Sequence, residues 1–63
     1  MNGGYRTFYL YPGRAGTVFV NADKVVYVEE FEKGATAVIH FENGETVTVC
    51  GDIKDVVETL KGE

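Results

Sequence analysis

Five stretches of the chain are rich in aromatic and β-branched residues, and turn-forming residues separate them. Pro12, Gly13 and Gly16 follow the first stretch, and Asn21 to Asp23 follow the second. These residue types favour turns because glycine adopts unusual dihedral angles, proline fixes φ, and Asn or Asp bonds to nearby backbone. The pattern therefore predicts strands at about 7–11, 17–20, 25–31, 35–41 and 45–50.

The last segment changes from the alternating period of a strand to the period of a helix. The spacing i, i+3, i+4, i+7 places four apolar residues on one stripe: Ile53, Val56, Val57 and Leu60. Asp52 is suited to an N-cap, and Gly62 is suited to closing the other end. These signals predict an α-helix at about 52–61. A helix this short is marginal alone in water, so its stripe is expected to dock on the sheet.

Asn43-Gly44, between the last two predicted strands, is typical of a two-residue hairpin loop. Side-chain parity favours a longer loop instead. With a three-residue loop of Glu42, Asn43 and Gly44, the apolar residues of both strands share one face: Ala37, Ile39, Val47 and Val49. We therefore predict the three-residue loop, with Gly44 in the left-handed conformation.

The expected fold class is α+β: an antiparallel meander of four or five strands, then one helix packed on one face, all in a single domain of residues 1–63. One short helix covers only one side of such a sheet. Aromatic residues nevertheless occur at both parities of the predicted strands, and Tyr9, Tyr11 and Phe19 are the candidates for the uncovered face. The alternative is that the tyrosines line the surface with their hydroxyl groups in water.

Domains of this size usually need reinforcement by disulfides, a structural metal or oligomerisation. The 63 residues include one cysteine and one histidine, too few for a disulfide or for a zinc site with paired ligands. Self-association, with a homodimer favoured, is the remaining expectation. No metal or other cofactor is expected.

Charge and hydropathy bear on partners and location. Six basic and ten acidic residues give a net charge of −4, which repels the phosphate backbone, so nucleic acid is not the expected partner. The apolar runs are far shorter than the roughly 18 to 20 residues that span a bilayer. Residues 1–4 lack the basic and then apolar layout of a signal peptide. These features predict a cytoplasmic protein without membrane insertion, and one unpaired cysteine is consistent with that reducing compartment.

Two residues are candidates for chemistry. His40 could act as a general base or ligand, but the chain has no serine and no second histidine, so a surface histidine is the preferred interpretation. Cys50 precedes the predicted helix N-terminus, where a thiolate is stabilised, while Asp52 opposes that effect. We interpret Cys50 as structural and predict that the protein is not an enzyme.

Residues 20–29, the hairpin at 41–45 and the strand at 47–49 before the final helix resemble the flagellar FlbD/SwrD-like small proteins. That family has an Asn-x-Asp-x-Ile-x-x-Ile-Glu core, a glycine hairpin and a valine-rich terminal helix. The resemblance implies a small bacterial accessory protein, with no catalytic residues to carry over.

Residues 25–29 and 49–54 are also similar to the first half of the LytTR domain, in which an Ile-x-Tyr-Ile-Glu strand precedes a hairpin and a leucine-rich helix. This resemblance implies a DNA-binding regulator. The first hypothesis is therefore a non-enzymatic protein-interaction module that self-associates through the sheet face left open by the helix. The alternative is a LytTR-like nucleic-acid-binding regulator, and a thiol enzyme using Cys50 is a third hypothesis.

Overall fold

A computed structural model describes residues 4–13 and 16–62. Residues 1–3, which entered the signal-peptide argument, lie outside the described part. The strands and the helix are β1 Tyr5–Tyr9, β2 Thr17–Asn21, β3 Val25–Glu32, β4 Thr36–Phe41, β5 Thr46–Cys50 and α1 Ile53–Lys61. A short 3₁₀ turn, Ala22–Lys24, joins β2 to β3. The predicted α+β class, with antiparallel strands followed by one helix, is confirmed.

The strands form two sheets rather than one continuous meander. β1 and β2 make an antiparallel hairpin, and β3, β4 and β5 make a three-stranded antiparallel sheet in that order. The sheets meet at an isolated bridge between Leu10 and Val49, where the N–H of Tyr11 donates to the carbonyl of Thr48 at 3.1 Å. The first strand therefore ends at Tyr9, before the expected limit of 11, because the chain turns towards β5 at this bridge.

The hairpin between β4 and β5 has the predicted three-residue loop. The N–H of Gly44 donates to the carbonyl of Phe41 at 2.9 Å, and Gly44 has φ of +89°. Ile39 then pairs with Val47, and Ala37 pairs with Val49. The parity argument is confirmed, because these pairs lie on the face that enters the core.

One cluster of buried side chains holds these elements together. Ala37, Ile39 and Val49 are fully buried on the three-stranded sheet, and α1 adds Val56. The hairpin contributes a buried pair as well, Phe8 and Val20. Of the remaining apolar residues on the helix stripe, Ile53 and Leu60 pack against this cluster, whereas Val57 is half-buried beside an open groove of the helix surface. The helix therefore shares the cover of the core with the hairpin.

Both ends of α1 have bonded caps. The Asp52 carboxylate accepts a hydrogen bond from the N–H of Lys54 at 3.0 Å, and Gly62 closes the last turn with φ of +81°. Arg6 of β1 reaches across to this end, where its Nε donates to the carbonyl of Thr59 at 2.9 Å. A cation at a helix C-terminus is stabilised by the helix dipole. Arg6 thus fastens the hairpin to the helix.

Replacing Arg6 with methionine should lower the free energy of unfolding by about 1 to 2 kcal/mol, because a charged hydrogen bond and a dipole contact are lost. Arg6→Lys is the matched variant, since it keeps the charge near the helix terminus but lacks the Nε donor. Chemical denaturation followed by circular dichroism measures both. Equal stability of wild type and Arg6→Met would show that the contact contributes nothing.

Candidate interaction surface

The outward side of the β1–β2 hairpin carries aromatic side chains and no charge. The antiparallel register pairs Tyr5 with Asn21, Thr7 with Phe19 and Tyr9 with Thr17. Because directly paired residues point to the same side, these six residues form one surface, which we call the hairpin face. Tyr5 is 65% exposed, Phe19 68% and Tyr9 51%.

The structure brings Tyr9 and Phe19 together on the hairpin face but places Tyr11 elsewhere. Tyr11 is half-buried in the turn after β1, and its ring meets that of Phe31 edge to face, with centroids 6.1 Å apart. The chain leaves the strand before position 11, so the alternation that relates Tyr9 to Tyr11 does not continue. Tyr5 belongs to the hairpin face and was not predicted, although its spacing of two residues from Thr7 and four from Tyr9 is the signal that indicates it.

An open groove of about 470 Å³ lies where the hairpin face meets the β4–β5 loop. Tyr5, Phe19 and Phe41 provide its aromatic lining. At its rim, the ammonium group of Lys24 lies 3.0 Å from the carboxylate of Glu42. The hydrogen bond to Glu42 and the negative charge of that carboxylate raise the pKa of Lys24. This ion pair is therefore present at neutral pH, and deprotonation of Lys24 breaks it in alkali, as pH rises through the raised pKa.

A second exposed apolar surface lies on β3 and differs in charge. Val26, Tyr27 and Phe31 are at least half exposed, but three acidic side chains share the strand: Glu29, Glu30 and Glu32. The register of β3 against β4 shifts at Val26 and again at Phe31. Bulges and charges of this kind discourage further strands from pairing with a sheet edge.

His40 lies on the side of the three-stranded sheet that faces away from the core. Its ring stacks on Tyr27 with centroids 4.0 Å apart, and its Nε2 lies 2.7 Å from Oε1 of Glu29. His40 pairs with Thr46, while Cys50 pairs with Thr36 at the other end of the same ladder. The candidate base and the candidate nucleophile are thus separated along the strands. Nucleophilic catalysis would require a contact between His40 and Cys50, and none is present among the described residues.

The Cys50 thiol is half-buried and lies 3.5 Å from the carbonyl oxygen of Leu10, to which it donates. A reagent needs both access to sulfur and the thiolate form. We therefore predict that a disulfide reagent labels Cys50 at least about tenfold more slowly in the folded protein than in denaturant. Labelling monitored by absorbance at neutral pH measures the two rates. Equal rates would favour the thiol-enzyme hypothesis instead.

Within residues 4–13 and 16–62, no group of three or more histidine, cysteine or acidic side chains is arranged to hold a metal ion. No helix in the described part of the chain has the length and apolar character needed to cross a membrane. Comparison with protein-family models, curated proteins and solved structures finds no match to the chain. The resemblances to the FlbD/SwrD-like proteins and to the LytTR domain therefore stay predictions, and the surfaces described above provide the evidence on function.

Proposed function

We propose that the protein is a non-enzymatic interaction module that self-associates through the hairpin face, most simply as a homodimer. The observation that carries this proposal is that Tyr5, Tyr9 and Phe19 stand exposed together on one side of a two-stranded hairpin. Apolar clusters of this kind mark interaction surfaces. Removing one such side chain from water contributes up to about 2 to 3 kcal/mol, which is a large gain for a small domain.

Charge supports a second copy as the partner. Each chain carries a net charge of −4, so two copies repel each other wherever acidic surfaces approach. Acidic residues lie on β3, in the β4–β5 loop and on α1. The hairpin face consists of tyrosine, threonine, phenylalanine and asparagine alone. Two copies that meet there bring no like charges into direct opposition.

A non-enzymatic role agrees with the positions of the candidate chemical groups. The His40 ring stacks on Tyr27 and its Nε2 is hydrogen-bonded to Glu29, and the Cys50 thiol donates to a backbone carbonyl. We further propose a cytoplasmic setting, for which the support is the single unpaired cysteine. In the terms of the FlbD/SwrD-like resemblance, this role is that of a small bacterial accessory protein.

Sedimentation velocity across the micromolar range tests self-association. We expect the wild-type sedimentation coefficient to rise with concentration towards that of a dimer. Phe19→Ser should weaken the dimer by at least about tenfold, which corresponds to about 1.4 kcal/mol. Phe31→Ser is the matched control, because Phe31 has a similar exposure of 60% but lies on β3, and it should leave the dimer unchanged.

A wild-type chain that stays monomeric throughout would overturn the proposal. Equal weakening by Phe19→Ser and Phe31→Ser would move the interface away from the hairpin face. Salt-sensitive binding of the purified chain to mixed duplex DNA would instead favour the regulator hypothesis.

A further inference from the structure

The hydrogen bonds at the two ends of the β1–β2 ladder show which backbone groups point out of the hairpin. The N–H of Ala22 donates to the carbonyl of Gly4 at 3.1 Å, and the N–H of Leu10 donates to that of Gly16 at 2.8 Å. In an antiparallel pair, hydrogen-bonded and non-hydrogen-bonded positions alternate. With the observed register, the even-numbered residues of β2 therefore bond to β1. The N–H and C=O groups of Thr17, Phe19 and Asn21 point away from β1.

β2 is consequently an open strand edge. Among residues 4–13 and 16–62, β1 is the only strand that pairs with it. The strand Thr17–Asn21 has no charged residue, no proline and no break in its register with β1. Proteins usually protect a strand edge with charged residues, prolines or bulges, and β3 has both bulges and glutamates. The lack of protection on β2 indicates an edge that pairs with a further strand.

Resting on the proposed self-association, we propose that the partner strand is β2 of a second copy, added antiparallel about a two-fold axis at Phe19. The strand reads Thr-Val-Phe-Val-Asn and is nearly symmetric about its centre. Antiparallel pairing places Phe19 opposite Phe19 of the second copy and each Val18 opposite a Val20. The outward N–H of each Phe19 then donates to the C=O of the other Phe19 across the axis, as a closed two-fold interface requires.

This arrangement lays the two hairpin faces side by side in one four-stranded surface, so the copies meet along the Phe19 edge of each hairpin face, with Tyr5 and Tyr9 on the outer strands. The Phe19 side chains of both copies project on the same side and contact each other across the axis. The surface remains free of charge across the junction, because neither hairpin face contains an acidic or basic residue. Pairing through β3 would instead bring the glutamates of two acidic chains together.

Thr17→Pro tests the edge directly. The N–H of Thr17 points outward, so proline removes a donor needed by the second copy while leaving the ladder with β1 intact. We expect this variant to weaken the dimer at least about tenfold, and Thr17→Val, which keeps the N–H, to leave it unchanged. Sedimentation velocity measures the affinities, and far-UV circular dichroism reports the fold of each variant.

Amide hydrogen exchange of the wild-type chain provides a readout that needs no variant. The Phe19 amide should be protected at concentrations where the dimer forms and should exchange rapidly on dilution. The Val18 amide is bonded to β1 and should be protected at high and at low concentration. A dimer that persists in Thr17→Pro with an unprotected Phe19 amide would overturn edge pairing and leave self-association standing. If the wild-type chain were monomeric at all concentrations, edge pairing and self-association would both be overturned.

Discussion

Replacing Phe8 with alanine should lower the free energy of unfolding by about 3 to 5 kcal/mol, which is typical of a phenylalanine removed from a core. Phe8 is only 7% exposed and belongs to the buried cluster with Val20 and Ile39. A chain of 63 residues has a total stability of about 3 to 9 kcal/mol by the usual value per residue. The loss is therefore at least about a third of the total stability and equals all of it at the lower end of that range. Urea denaturation followed by circular dichroism provides the measurement.

Phe19→Ala is the matched control on the same hairpin. Phe19 lies on β2, on the opposite side of the hairpin from Phe8, and is 68% exposed. At concentrations low enough to keep the protein monomeric, its replacement should change stability by no more than about 0.5 kcal/mol. A comparison at high concentration would mix folding with association. Comparable losses in both variants at low concentration would mean that the hairpin has no distinct inner and outer faces.

The parts of the fold that were predictable are those in which local and longer-range signals agree. The helix has an apolar stripe, an N-cap at Asp52 and a glycine at its end, and it occupies Ile53–Lys61 as expected. The β4–β5 hairpin was predictable because its two strands adjoin in sequence and one parity alone places their apolar residues together. Neither prediction required knowledge of distant contacts.

The division into two sheets depends on contacts that spacing along the chain does not contain. Leu10 bridges to Val49 and Arg6 bonds to Thr59, and both contacts join the first ten residues to the last third of the chain. Strand periodicity shows that β1 has two different faces but not which element covers each. For this reason Tyr9 and Phe19 were assigned to one surface together with Tyr11, which the turn after β1 carries away from them.

The sequence and the structure both indicate the hairpin face as an uncovered apolar surface. The sequence predicts more apolar strand surface than one helix covers, and the structure leaves Tyr5, Tyr9 and Phe19 exposed even though the hairpin and the helix together cover the core. The same hairpin thus contributes Phe8 and Val20 inward and aromatic rings outward. A two-stranded element with apolar residues on both sides is a layer that lacks a neighbour on one side.

Deleting Glu42 should lower the free energy of unfolding by no more than about 1 kcal/mol, because the shortened loop keeps the register of the two strands. The deletion leaves Asn43-Gly44 as a two-residue loop, which is the most favourable short hairpin connection by local preference. Phe41 and Glu45, which flank the native loop and are joined by a hydrogen bond of 2.9 Å, then still face each other, so the register of β5 against β4 is kept. Val47 therefore stays opposite Ile39 and Val49 opposite Ala37, on the face that enters the core.

The deletion therefore satisfies local turn preference and the burial of the strand face together, provided that the loop changes from three residues to two. Glu42→Ala is the control, because it keeps the loop length and removes only the exposed ion pair with Lys24, for a loss of no more than about 0.5 kcal/mol. Urea denaturation of both variants measures the difference. If the deletion variant instead lost about 3 to 6 kcal/mol, the value expected when two buried valines are moved into water, the three-residue turn rather than side-chain parity would determine the register. We expect the deletion variant to be about as stable as Glu42→Ala, because Val49 is fully buried and no local preference for one turn type approaches the free energy of its burial.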